Sequence, residues 1–169
     1  KYLDSVEYWQ KGDSGMWEEG EELHASSVGA CVAGLKSINR LPKIEVPDEL
    51  IQMGQEALNS LLPRESEGKF VDLALLSLIW PYDVVNEEQR DQILENVEYH
   101  LLRDRGVIRY KGDAYYNKND DEKSEEAEWT FGLSWLAIIY QNIGKQEKAM
   151  ECIKDLIASD TPDGLPELY

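Results

Sequence analysis

The sequence predicts an all-α chain of successive helical hairpins, and three observations carry that reading. Apolar residues recur at three- and four-residue spacing through most of the chain. Pro and Gly clusters fall between these stretches rather than within them. No stretch alternates apolar and polar residues convincingly, so no sheet is expected. At 169 residues and 42% hydrophobic content the chain is read as a single domain, residues 1–169, able to bury a core.

Each element has its own signal. Tyr2, Leu3, Val6 and Trp9 mark one face of a first helix, ended by the turn chemistry of Gly12 to Gly15. His24 to Leu41 carries Val28, Cys31, Val32, Leu35 and Ile38 at helical spacing, and its small residues Ala25, Ser26, Gly29, Ala30 and Ala33 would let another helix approach closely. Pro42 and Pro47 bracket a linker. Asp48 then opens an amphipathic helix bearing Leu50, Ile51, Met53, Ala57, Leu58 and Leu61, stopped at Pro63. Asp72 to Trp80 is apolar all round and belongs in an interior, closed by Pro81.

Asn86, followed by Glu87 and Glu88, reads as a helix cap with acids in the first turn, where they favour the helix dipole. That helix carries Ile93, Leu94, Val97, Leu101 and Leu102. A long polar loop follows from Arg105 to Glu126, and loops of that length in compact domains are usually functional or disordered. Trp129 to Ile143 forms a strongly apolar helix, Gly144 breaks it, and Gln146 to Ser159 forms the last one. The segment from Trp135 to Ala149 is also similar to a tetratricopeptide helix pair, which leaves a helical scaffold for peptides as a further alternative.

Charge narrows the function. Asp and Glu number 34 against 17 Lys and Arg, a net charge of −17, so phosphate backbones and anionic lipid surfaces are repelled. The longest apolar runs, such as Leu73 to Trp80, are far shorter than the roughly 20 residues that span a bilayer. Cys31 and Cys152 are too few for a disulfide framework or a zinc site and read as small buried hydrophobes, which favours the cytoplasm. The chain starts at Lys1 with no leader pattern, so any targeting segment would lie outside it.

Three segments bring chemistry together. Trp17 stands beside Glu18 and Glu19, an aromatic next to two carboxylates, the residue types that glycoside hydrolysis uses. The polar loop concentrates Arg109, Tyr110, Asp113, Tyr115 and Tyr116, which supply donors, acceptors and flat apolar faces suited to a hydroxyl-rich ligand. Glu128 and Trp129 repeat the acid-next-to-Trp pairing. In the last loop, Pro166 and the turn residue Gly164 hold Glu167 in a rigid setting suited to a general base. His24, at a helix start, reads as a capping or packing group.

Taken in order, these segments resemble the family 15 glycoside hydrolases, the glucoamylase and glucodextranase family. The resemblance implies an (α/α)6 toroid, or an arc of one running from general acid to general base. It implies Glu18 as general acid, with Trp17 and Glu19 in the substrate site. Arg109 would contact the sugar, with Tyr110, Asp113, Tyr116 and Trp129 in the same site. Glu167 would be the general base. The implied reaction is single-step inversion of an α-linked glucoside, the two carboxyl groups standing roughly 6.5 to 9.5 Å apart with a water between. The substrate would be an oligosaccharide or polysaccharide, and neither metal nor organic cofactor is required.

Gly15 departs from the fungal pattern, which has Asp there. The segment Ala127-Glu128-Trp129, after an acidic insert, looks more like archaeal members and the glucoamylase-like domain of phosphorylase kinase regulatory subunits. That likeness implies the alternative function, a non-catalytic carbohydrate-binding or regulatory module.

Overall fold

The computed structural model describes residues 1–115 and 126–169. The chain divides into two compact units, one made of residues 1–70 with 77–93, the other of residues 71–76 with 94–169. Among the described residues the regular elements are helices, joined in places by isolated β-bridges.

The first unit holds α1 (Tyr2–Ser5), α2 (Ala25–Ile38), α3 (Asp48–Leu61) and the start of α5 (Glu87–His100). The helix expected through Trp9 stops after one turn, because Glu7 adopts a φ of 51° that a helix cannot continue through. The break turns Tyr8 inward, where its hydroxyl donates to the Leu50 carbonyl at 2.8 Å. Gly54 on α3 makes room for it, since a Cβ there would stand 2.1 Å from the Tyr8 oxygen. Burial drives the Tyr8 phenol up to about 12.

Helices α2 and α3 form the expected hairpin, and α2 buries Ala25, Ser26, Val28, Gly29, Val32 and Leu35. Its small residues admit a side chain at one point: a Cβ on Gly29 would lie 2.1 Å from Leu78. The predicted cap of α5 is present in both directions. The Asn86 Oδ1 accepts from the Gln89 N–H at 2.9 Å, and the Gln89 Oε1 accepts from the Asn86 N–H at 3.1 Å.

Between α3 and α5, the apolar stretch is a short 3-10 turn, Leu73–Leu75, followed by one turn of helix, α4 (Leu76–Ile79). Leu73, Leu75, Leu76 and Leu78 are fully buried, as its composition predicts, whereas Trp80 is exposed. Asp72 caps it by accepting from the Ala74 N–H at 2.8 Å.

The second unit is built on the hairpin of α6 (Thr130–Asn142) and α7 (Gln146–Ala158), turned at Gly144 with φ 78°. Leu133, Leu136, Ile139 and Tyr140 from α6 join Ala149 and Cys152 from α7 in its core, with Leu94, Val97 and Leu101 from the end of α5. Burying each of the larger side chains contributes about 2 kcal/mol.

Part of the segment read as polar loop is apolar and buried. Val107 and Ile108 are buried, and Val107 exchanges two backbone hydrogen bonds with Trp129 at 3.0 Å. Trp129 therefore precedes α6 rather than opening it. Cys152 is buried as expected, while Cys31 is half-buried. No helix among the described residues is long and apolar enough to cross a membrane.

Candidate functional site

In the first unit, Trp17, Glu18 and Glu19 sit on a loop pinched shut at its base. Asp13 and Glu22 exchange backbone hydrogen bonds of 2.8 and 3.0 Å across it. The Asp13 carboxylate accepts from the Gly15 N–H at 2.6 Å and from the Ser27 hydroxyl at 2.9 Å, tying the loop to α2. Gly15 has a φ of 66°, and a Cβ there would stand 2.9 Å from the His24 ring. The departure from Asp at this position thus has a physical reason: a side chain would be strained and would strike His24.

Glu18 lies on the turn with φ 56° and is exposed. Trp17 is half-buried, and Glu19 pairs with Lys69 at 2.7 Å. The expected acid therefore lacks an apolar enclosure among the described residues, and its neighbouring carboxylate is already offset by a lysine.

Behind this loop lies a buried polar cluster that sequence reading missed. Glu65, fully buried, accepts from the Ser26 N–H and takes the Ser26 hydroxyl at 2.5 Å, so it caps α2 from 39 residues away. His24 occupies the cap position itself, with Nδ1 3.5 Å from the Glu65 carboxylate and Nε2 3.5 Å from the Gly20 carbonyl. The Glu65 hydrogen bond raises the His24 pKa above its ordinary value, and burial opposes it. Glu22 is held low, first by the Ser66 hydroxyl and then by the Gly68 N–H. His24 gave the only local signal for this cluster, as a helix-start packing group. Glu65 gave none.

In the second unit, three of the segments singled out in the sequence come together. Residues Gly106 to Arg109, Glu128 to Thr130 and Pro166 to Tyr169 run side by side, joined by bridges between Val107 and Trp129 and between Trp129 and Leu168. Thr130 fastens the last of them, its N–H donating to the Glu167 carbonyl at 3.1 Å and its hydroxyl to the Pro166 carbonyl at 2.6 Å. The Glu167 backbone is thus fixed while its side chain is exposed.

Arg109 is 4% exposed and Asp113 5%, and they form a two-pronged ion pair with both contacts at 2.7 Å. Asp113 also accepts from the Tyr115 N–H at 2.9 Å. The guanidinium lies 4.7 Å from the Tyr115 ring centre, 5.4 Å from Trp129 and 5.7 Å from Tyr110. This cluster locks the loop onto the base of α6. Tyr116 falls outside the described residues, and no group of metal-ligating side chains is found among the described ones.

Comparison with known proteins places this geometry. The chain is 33% identical, over 93% of its length, to a probable phosphorylase b kinase regulatory subunit alpha of Caenorhabditis elegans. It is 32% identical, over 95% of its length, to the skeletal muscle alpha subunit of Oryctolagus cuniculus, and 30% identical over 65% to a probable beta subunit of Drosophila melanogaster. It spans 16% of the length of either alpha subunit and 12% of the beta subunit. No family model matches the chain.

Among solved structures, a point variant and the wild type of a glycosidase match 99% of the chain at TM-scores of 0.80 and 0.78, both at 22% identity. The chain covers 47% of each. The fold is that of the six-hairpin glycosidase toroid.

The expectation of an inverting α-glucosidase is overturned by the same findings. The sequence relatives named above are regulatory subunits of a kinase, not glycosidases, and a glycosidase likeness at 22% identity carries the fold alone. The roles of Glu18 as general acid and Glu167 as general base fall with it. So does the expectation of a saccharide substrate to be turned over.

Proposed function

We propose that this chain is a stretch of a family 15-type toroid within a kinase regulatory subunit, working through protein contact rather than turnover. The observation that carries the reading is the 33% identity to a phosphorylase kinase alpha subunit across 93% of the chain. The Arg109–Asp113 pair supports it, because a guanidinium committed to a buried carboxylate fixes a surface rather than waiting for a substrate.

The test uses the full-length protein that contains this chain, mixed with a phosphorylase kinase catalytic subunit. Co-elution as a complex and altered kinase activity are expected, with no glucose released from maltooligosaccharides or isomaltose. Glucose release that is lost in both Glu18→Gln and Glu167→Gln would overturn the reading.

A second reading, saccharide binding without turnover, is favoured by one observation. The Trp129 indole N–H is buried with no hydrogen-bond partner among the described residues, next to Arg109 and the exposed ring of Tyr115. On this reading, calorimetric titration with maltoheptaose gives saturable binding that weakens several-fold in Trp129→Phe. Heats that never saturate would remove it.

A further inference from the structure

The connector between α2 and α3 belongs to none of the segments singled out above, and its apolar residues face solvent. Ile38, Leu41 and Ile44 are exposed by 45%, 52% and 44%. Single exposed apolar side chains are ordinary on a protein surface, whereas a group of them marks a contact site. The backbone groups these three. The Leu41 N–H donates to the Ile38 carbonyl at 2.9 Å and the Ile44 N–H to the Leu41 carbonyl at 3.3 Å. Each such turn holds its end residues within about 7 Å of one another. The Asn39 side-chain oxygen then accepts from the Val46 N–H at 3.0 Å, closing the connector back onto the end of α2. A tip whose shape is already set loses little freedom on binding.

Charge sets the tip apart from the rest of the chain. The net charge is −17, yet no Asp or Glu occurs between Glu22 and Glu45. Arg40 and Lys43 lie in that interval, both exposed and in no ion pair with a carboxylate among the described residues. Lys36 donates to the neutral Gln55 side chain at 3.1 Å, which leaves its charge in place. Lys43 has a φ of 71°, a backbone region that favours glycine, and the sequence nonetheless places a cation there.

Apolar side chains set among unpaired cations suit a partner that carries apolar side chains set among carboxylates. A long polyanion, nucleic acid or an anionic membrane, would also meet the acidic remainder of the chain and be repelled. A short protein segment reaches the tip alone.

We infer that the tip of the α2–α3 hairpin docks an acidic, amphipathic segment of a protein partner. Its apolar side chains lie against Ile38, Leu41 and Ile44, and its carboxylates meet Arg40 and Lys43. The choice of a protein partner rests on the reading that the chain works through contact.

Fluorescence anisotropy of a labelled peptide of repeated Glu-Leu-Leu-Glu, titrated with the full-length protein, tests the assignment. Saturable binding that weakens as salt rises is expected, with none by the same peptide carrying Gln for Glu or Ser for Leu. Arg40→Gln with Lys43→Gly should weaken binding about tenfold without lowering the thermal midpoint, since glycine suits the Lys43 backbone. Leu41→Ser with Ile44→Ser should weaken it to a similar degree, circular dichroism confirming the fold. Equal binding of the Gln peptide, affinity unchanged in either variant, no saturation, or tighter binding to phosphatidylserine vesicles than to the peptide would overturn the proposal. Sedimentation of the full-length protein with a phosphorylase kinase catalytic subunit separates the two readings. A parent that forms no complex removes the regulatory reading, whereas a complex formed by a parent that leaves the peptide unbound removes the docking tip alone.

Discussion

At the residue scale, two buried charged pairs stabilise the loops that carry the sequence motifs. Removing one partner of a buried pair strands the other charge, which costs about 3–5 kcal/mol. Arg109→Ala should destabilise the second unit by that order, leaving Asp113 buried without its cation. Hydrogen–deuterium exchange of the full-length protein checks this, as faster exchange across residues 106–113 and 127–130. In the first unit the pair is His24 with Glu65, and the sign of its pH dependence follows from a raised histidine pKa. The stabilisation is fully present below the ordinary value of about 6.5 and is lost as pH rises through the folded value. The groups acting on the imidazole include Glu65, Asp13 and Glu22, all acidic. Exchange at the His24 ring C2–H, followed by mass spectrometry against pH, should give a midpoint above the ordinary one. Glu65→Gln should lower it, and an unchanged midpoint would show that Glu65 does not set it.

At the element scale, what was legible in the sequence is what local chemistry decides. The cap at Asn86 depends on residues three apart, so α5 begins where the sequence places it. Asn86→Ala should cost about 1 kcal/mol, read as a lower thermal midpoint with increased fraying of the first turn of α5. Helix α3 was legible for the same reason, its start signalled by Pro47 and Asp48 and its end by Pro63. The early stop of α1 was not, because it rests on the Glu7 backbone and the burial of Tyr8 against α3, a partner 42 residues away. Nor was the pairing of Val107 with Trp129, since two residues in extended backbone leave no alternating pattern to read. Gly106 marks the crossing after the fact: a Cβ there would stand 2.8 Å from the Glu128 and Trp129 backbone. Of the site, the sequence placed Arg109 and Asp113 in one loop. It did not show that they satisfy each other, because the same residues serve equally well for a ligand or for an internal pair, and burial decides between the two.

At the scale of the whole molecule, the toroid and the glycosidase motifs come apart. A fold persists as long as its core and its chain crossings persist, whereas turnover requires two carboxylates held in particular surroundings. Here the crossings are intact: Gly132 sits where a Cβ would stand 2.6 Å from Val107, and Thr130 fastens the final loop. The two carboxylates are both exposed. If the chain acts by contact, these positions are ordinary surface, and replacing a surface carboxylate by its amide changes stability by no more than about 0.5 kcal/mol. On the proposed reading, the full-length protein carrying Glu18→Gln and Glu167→Gln together should therefore bind a phosphorylase kinase catalytic subunit and alter its activity as the parent does. Arg109→Ala, acting on the loop that runs beside the Glu167 segment, should weaken both. The two measurements, complex formation by analytical ultracentrifugation and phosphate transfer by the partner, separate a surface that works through its shape from one that works through its acids. A double variant that loses regulation while remaining folded would mean that the carboxylates themselves are read by the partner.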